Sequence, residues 1–246
     1  KNLKHIFRDI INEVKNSNKT LNVLSKNFNF NFKIKELQKF KRFKTVVIIG
    51  MGGSILAAEA INEFLQKKIK RKFYFLNNLD EKKIINLKKK ENFKNVLFLI
   101  ISKSGNTLET LTNFRKLNII NNNSKNIIII TEKKNNFLYS LSKRFNLFYI
   151  EHKDYIGGRY SVFSEVGIVP AYLMGININK FRSNLRVYLE GKLALILKES
   201  VIKLASILKE NKINNLIFIN YLPEIKKTLL WNQQLIAESL GKKRKG

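Results

Sequence analysis

The sequence contains no cysteine and only two prolines and two histidines among its 246 residues. Without cysteine it can form neither disulfide bonds nor a thiolate metal site. No apolar run approaches the ~20 residues that a membrane-spanning helix needs. The first residues lack the pattern of a secretory signal peptide. We therefore expect a soluble, cytoplasmic protein that does not associate with membranes.

Acidic residues are also scarce, since 18 Asp and Glu stand against 47 Lys and Arg, which gives a formal net charge of +29. Basic clusters bind nucleic acids because they neutralise phosphates. The lysines are spread along the whole chain, however, and Lys, Asn and Ile, all abundant here, share AT-rich codons. No zinc-finger spacing or basic zipper accompanies them. We expect the charge to reflect composition and to serve no nucleic-acid partner; a basic nucleic-acid-binding module is the alternative.

Short apolar runs alternate with helical patterns through the middle of the chain. Helical spacing also predicts a helix in residues 1–18 and a short one at 34–41. The predicted strands are 45–50, 72–76, 95–101, 126–131 and 147–150, with helices at 55–66, 107–117 and 135–145. Strands that are apolar at every position and separated by helices indicate a parallel sheet covered on both faces. The fold class is therefore α/β, with a doubly wound parallel sheet.

A second cycle of elements begins after a buried helix predicted at 168–174. Its predicted parts are a helix at 188–210, a strand at 214–221 and a helix at 224–241 that ends at Gly241. One strand and two helices cannot close another sheet. We expect a helical segment at 1–44, a first α/β domain at 45–185 and the truncated start of a similar second domain at 186–246.

The loop after the first predicted strand is rich in glycine, reading GMGGS at 50–54. Ligands of open parallel sheets bind beyond the carboxyl ends of the strands. Glycines let a ligand approach the backbone, and the helix N-terminus that follows offers N–H groups to an anion. The dinucleotide fingerprint would need glycine in place of Ile55, and the Gly-Lys-Ser/Thr of a P-loop is absent. A tight turn without a ligand is the alternative.

The loop after the strand at 95–101 reads SKSGNT (102–107) and precedes another helix. Its side-chain donors are Ser102, Lys103, Ser104 and Thr107. Hydroxyls and N–H groups at this density favour a phosphate, and the lack of a magnesium-binding context indicates a monophosphate. Asn106 and Glu109 form a capping-box-like pair, so helix capping is an alternative that can hold at the same time.

Two longer segments also contain candidate site residues: DYIGGRYSVFSEVG at 154–167 and WNQQLIAESLGKKRKG at 231–246. Taken alone, an arginine after a glycine pair is most typical of a surface salt bridge. A glutamate near a helix end is most typically solvated. Gln234 and Glu238 lie four residues apart and therefore face one side of the last helix.

The four segments, in this order and spacing, resemble the phosphoglucose isomerase (glucose-6-phosphate isomerase) family. GGRYS and ESLGK are the specific motifs. GMGGS and SKSGNT alone indicate the wider class of sugar-phosphate isomerase domains, which includes regulators. The resemblance implies an aldose–ketose isomerase that interconverts glucose 6-phosphate and fructose 6-phosphate through a cis-enediol(ate), in glycolysis and gluconeogenesis.

The resemblance also implies roles for individual residues. Glu238 would be the base that moves a proton between C2 and C1, and Arg159, brought to the sugar by the Gly157–Gly158 pair, would stabilise the enediolate. The implied ligands of substrate and phosphate are Gly53, Ser54, Ser102, Lys103, Ser104, Thr107, Gly158 and Gln234. No metal or organic cofactor is implied, and the full-length protein is expected to be a homodimer.

The family also uses a ring-opening histidine and a lysine near its C-terminus, which we expect beyond residue 246. We therefore interpret the chain as a fragment with little activity of its own. His5 lies in the first predicted helix, and His152 is interpreted as a loop residue, not an acid. The alternative is a sugar-phosphate-sensing domain without catalysis, which would bind its ligand without an essential Glu238.

Overall fold

The computed structural model describes residues 3–121, 124–189, 191–209 and 215–241. Its centre is a sheet of five parallel strands in the order β2-β1-β3-β4-β5. The strands are β1 (Thr45–Ile49), β2 (Lys72–Leu76), β3 (Val96–Ile101), β4 (Ile127–Thr131) and β5 (Phe148–Glu151). All five predicted strands of the first domain are confirmed.

Helices connect and follow the strands. In chain order they are α1 (Leu3–Lys15), α2 (Ile34–Leu37), α3 (Leu56–Phe64), α4 (Glu81–Lys90), α5 (Leu108–Leu117), α6 (Phe137–Arg144), α7 (Glu165–Leu173), α8 (Ile178–Ser183), α9 (Leu185–Leu189), α10 (Lys192–Lys209) and α11 (Lys226–Leu240). The predicted helices are confirmed, except that the helix predicted at 188–210 is divided into α9 and α10, with Gly191 outside both at a φ of +86°. Helices α4 and α8 are additional.

Alternate side chains of each central strand enter two separate cores. In β1, Val46 and Ile48 pack with α3, α7 and the aromatic residues of the N-terminal segment. Val47 and Ile49 pack on the opposite face with α4, α5 and α6. Since a strand places successive side chains on opposite faces, a run of apolar residues is what two covered faces require. The doubly wound α/β fold is confirmed.

The strand order places a switch point between β1 and β3. The chain runs from β1 to β2 on one side of the sheet and then crosses back to β3 on the other side of β1. Connections that leave in opposite directions open a crevice at the carboxyl ends of the strands. The two loops at this crevice are GMGGS and SKSGNT.

The N-terminal segment is anchored to the beginning of α7. The buried Glu165 carboxylate accepts a 2.9 Å hydrogen bond from the Asn31 backbone N–H and lies 3.5 Å from the Lys153 ammonium. Arg182 donates to the backbone carbonyls of Val23 and Ser25. Burial raises the pKa of Glu165 and lowers that of Arg182 to about 10. These contacts hold the segment against α7 and α8.

The strand predicted at 214–221 is wrong: residues 215–222 have no regular secondary structure, and Asn214 lies outside the described residues. Ile217 is 79% exposed and Tyr221 87% exposed. A strand satisfies its backbone groups only against a neighbouring strand, and the described part of the chain places none beside this segment. The second domain therefore stays a prediction. None of the described helices is long and apolar enough to cross a membrane.

Candidate active site

The GMGGS loop brings the backbones of two motifs into contact. Gly52–Ser54 form a 3-10 turn between β1 and α3, and Gly52 has a φ of +50°. A methyl group on Gly53 would overlap the carbonyl group of Gly158 and lie 2.8 Å from the Arg159 backbone nitrogen. The missing side chain of Gly53 therefore allows the GGRYS backbone to pass directly over this turn.

The backbone conformation of the GGRYS glycine pair requires glycine less than its predicted role implies. Neither Gly157 nor Gly158 has a positive φ, and a methyl group on Gly158 would make only an ordinary 3.9 Å contact with Gly53. The Ser161 hydroxyl donates to the Gly158 carbonyl at 2.6 Å and the Gly53 carbonyl at 3.2 Å. The close approach thus depends on Gly53 and is held by Ser161.

Helix α11 is fixed on α3 by polar contacts at its N-terminal end. The Lys227 backbone N–H donates to Glu63 at 2.6 Å, and the Lys227 ammonium donates to Glu59 at 3.1 Å. Asn77 donates to the same Glu59 oxygen at 2.7 Å. Further along, the Trp231 indole N–H donates to the Arg159 carbonyl at 2.9 Å. These bonds place the later turns of α11 over the GGRYS motif.

Because Glu59 is buried, its carboxylate depends on Lys227 for charge compensation. Lys227→Met should lower the free energy of unfolding by about 1–3 kcal/mol, since it leaves a buried charge with only the Asn77 amide. Adding Glu59→Gln should recover most of this loss. A double-mutant cycle by urea denaturation measures the coupling, with Lys226→Met, at an exposed lysine of the same helix, as the control. Purely additive effects would contradict this account of the docking.

The side chains of Arg159, Gln234 and Glu238 meet where α11 crosses the GGRYS motif. Arg159 Nη1 donates to Glu238 Oε2 at 3.2 Å, and Gln234 Nε2 donates to Glu238 Oε1 at 2.7 Å. The Gln234 amide also covers Gly52. The Glu238 side chain is 46% exposed and that of Arg159 25% exposed, so the carboxylate remains open to solvent. The predicted helical face of Gln234 and Glu238 is confirmed.

The hydroxyls of the SKSGNT loop form a cluster in front of α5. Ser102 Oγ lies 2.8 Å and Ser104 Oγ 3.4 Å from Thr107 Oγ1. Thr107 is the N-cap of α5, and none of the described side chains caps this helix. The capping role predicted for Asn106 and Glu109 is wrong, because the Asn106 carboxamide accepts a hydrogen bond from the Phe137 N–H instead.

Lys103 points toward the loop before the GGRYS motif. Its ammonium donates to the Asp154 carbonyl at 2.7 Å and lies 3.5 Å from Glu132 Oε1. Lys134 binds the other Glu132 oxygen at 2.8 Å. Lys103 thus joins the loops after β3, β4 and β5, and a phosphate-binding role for it stays a prediction.

His152 directly follows β5 and is buried, as a loop residue. Burial lowers the pKa of His152 to about 4, and its Nδ1 lies 2.9 Å from the Lys153 carbonyl. The imidazole is therefore neutral at pH 7. Among the described residues, no three His, Cys, Asp or Glu side chains form a group suited to a metal ion.

The parallel sheet, with its loops gathered at the switch point, defines a doubly wound α/β domain. A family model described as phosphoglucose isomerase matches residues 3–194. The chain belongs to the phosphoglucose isomerase family.

Similar proteins include glucose-6-phosphate isomerases of archaea and bacteria. The enzyme of Methanocaldococcus jannaschii is 31% identical over 226 residues, which cover 85% of this chain and 54% of the relative. The enzyme of Acholeplasma laidlawii is 33% identical over 232 residues, covering 87% of this chain and 54% of the relative. The chain thus spans about half the length of these relatives.

Two solved structures share the fold. A hypothetical protein from Thermus thermophilus has a TM-score of 0.78 and 22% identity, over 98% of this chain and 60% of that protein. A glucose-6-phosphate isomerase from Chlamydia trachomatis has a TM-score of 0.51 and 24% identity, over 72% of this chain and 33% of that protein.

Proposed function

We propose that this chain supplies the substrate site and the proton-transferring carboxylate of an isomerase that interconverts glucose 6-phosphate and fructose 6-phosphate. The observation that carries the proposal is the meeting of Arg159 and Glu238, which are 79 residues apart in sequence and joined by a 3.2 Å contact. A carboxylate beside a fixed cation suits a reaction that removes a proton from carbon and creates an anion.

Glu238 is the proposed base. Its carboxylate removes the C2 proton of the open-chain aldose and returns it to C1, while the O2 hydroxyl proton passes to O1, so that a cis-enediol(ate) links the two sugars. The ion pair with Arg159 is partly exposed, and such pairs contribute only ~0–1 kcal/mol. The pair can therefore separate when the sugar enters between its members. Proton transfer between two carbons of one molecule is redox-neutral and requires no organic cofactor.

Arg159 stabilises the negative charge of the enediolate oxygens in this proposal. The neighbouring Tyr160 side chain raises the pKa of the Arg159 guanidinium, and the Glu238 contact adds to this effect, so the group stays charged. Gln234 supports the same reaction from α11. Its Nε2 donates to Glu238 Oε1 at 2.7 Å, which orients the carboxylate beside the sugar, while its own Oε1 is buried and has no hydrogen-bond partner among the described residues.

The sugar phosphate is assigned to the loop after β3. The clustered hydroxyls of Ser102, Ser104 and Thr107 and the first N–H groups of the ten-residue helix α5 are suited to phosphate oxygens. Ser54 and the backbones of Gly53 and Gly158 lie on the GMGGS and GGRYS side of the crevice and are assigned to the sugar. Such positioning fixes the geometry before the proton moves.

The phosphate assignment predicts that Ser104→Ala with Thr107→Ala weakens binding of 6-phosphogluconate. Each lost charge-assisted hydrogen bond should cost about 1–3 kcal/mol. Calorimetry of the double variant measures the loss, and Ser200→Ala, at an exposed serine of α10, is the matched control. Unchanged affinity in the double variant would remove this loop from the site.

The family membership supports three broader assignments within this proposal. The enzyme would act in glycolysis and gluconeogenesis, in the cytoplasm, and as a homodimer at full length. The positive charge serves no nucleic-acid partner in this account.

A further inference from the structure

Helix α11 holds the Arg159 guanidinium at a second point, besides Glu238. Arg159 Nε donates to Ser239 Oγ at 3.1 Å, while Nη1 donates to Glu238 at 3.2 Å. The guanidinium is planar, so fixing Nε and one terminal nitrogen fixes the direction of all its N–H groups. Two consecutive residues of α11 therefore set the orientation of this arginine in the unliganded chain, and Ser239 still holds it when the sugar separates Arg159 from Glu238.

The Tyr160 ring packs against the face of the Arg159 guanidinium. The Arg159 Cζ atom lies 4.8 Å from the centre of the Tyr160 ring, and the Tyr160 hydroxyl lies 3.2 Å from Ser239 Oγ. The serine hydroxyl is thus shared between the arginine and the tyrosine that supports it. Ser239 is partly buried, which limits competition from water.

We propose that Ser239 is a positioning residue, which together with Tyr160 locks the Arg159 guanidinium in the orientation that stabilises the enediolate. The inference rests on the proposed function, because it assumes that Arg159 faces this anion. An unrestrained arginine has side-chain rotamer entropy to lose on ordering. Donors already fixed before the charge develops need no such reorganisation. Ser239 acts through Arg159 and does not itself contact the sugar.

The binding of two ligands distinguishes a positioning role of Ser239 from a general effect of this residue on stability. The carboxylate of 6-phosphogluconate carries negative charge at the end of the sugar where the enediolate forms, whereas glucitol 6-phosphate is neutral there. Ser239→Ala should weaken 6-phosphogluconate binding about tenfold, which corresponds to about 1.4 kcal/mol, and glucitol 6-phosphate binding less than twofold. Ser239→Thr keeps the hydroxyl and should restore most of the affinity. Ser200→Ala is the control for loss of a helix serine.

A second readout needs no ligand. In the unliganded chain, hydrogen exchange of the Arg159 Nε–H with water, followed by NMR, should accelerate in Ser239→Ala and stay slow in Ser239→Thr. Unchanged exchange would overturn the proposal, as would equal weakening of both ligands or no weakening. In these cases the proposed function stands, provided that the parent chain binds both ligands. If the parent binds neither, the proposed function fails and the positioning role fails with it.

Discussion

Glu238→Gln should lower the rate of proton exchange at the reacting carbons about 10²–10⁴-fold in the active isomerase, the usual loss when a positioned base is removed. The amide keeps the shape of the side chain and can still bind Gln234, but it cannot accept the C2 proton. Affinity for the sugar phosphate should therefore remain largely intact.

Two assays measure this effect: incorporation of solvent deuterium into fructose 6-phosphate, and coupled turnover. Arg159→Lys should also slow both, because lysine keeps the charge but loses the planar fork that binds Glu238 and Ser239. Exchange at nearly the parental rate in Glu238→Gln would place the base elsewhere. Binding without any exchange by the parent enzyme would favour a sensing domain.

Gly53→Ala should disrupt the site although it adds only one methyl group. That group would overlap the Gly158 carbonyl and approach the Arg159 backbone nitrogen, so one of the two backbones has to move. Inserting a group into a packed contact costs about 1–3 kcal/mol, and a clash with backbone belongs at the upper end. The movement also separates Arg159 from Glu238, so 6-phosphogluconate binding should be lost.

The matched control for this variant is Gly158→Ala, whose added methyl group makes only an ordinary contact. The denaturation midpoint should fall in Gly53→Ala and stay close to the parental value in Gly158→Ala. Equal midpoints for the two variants would contradict the close approach of the GMGGS and GGRYS backbones.

The first domain could be predicted because its local sequence patterns fit only one arrangement of strands and helices. Runs such as Val46–Ile49 are apolar at every position, which only a sheet covered on both faces explains. Helix α4 was not predicted, because only Ile84 and Leu87 of its Lys-rich sequence are buried. The sequence signal for the start of this helix was Asp80, whose carboxylate caps it by accepting a hydrogen bond from the Lys83 backbone N–H. The wrong strand at 214–221 has an apolar run too, but a run without a neighbouring strand does not specify a sheet.

The candidate site could be predicted only in part. Its motifs are local, so Arg159 and Glu238 could be identified by resemblance, yet no spacing rule says that residues 79 apart touch. The supporting residues Ser239, Trp231 and Glu59 were missed, because their roles depend on long-range side-chain contacts. The capping role predicted for Asn106 was wrong for a similar reason. Its side chain accepts a hydrogen bond from the backbone N–H of Phe137, the first residue of α6, which lies beside this loop.

The most direct test of the account is an NMR titration of the chain with 6-phosphogluconate, because it shows which backbone amides respond. We expect saturable shifts confined to the carboxyl ends of the strands and α11: Gly52–Ser54, Ser102–Thr107, Gly158–Arg159 and Gln234–Ser239. The same titration of Ser104→Ala with Thr107→Ala should require much more ligand. Shifts concentrated elsewhere in the chain, or none at millimolar ligand, would contradict the site.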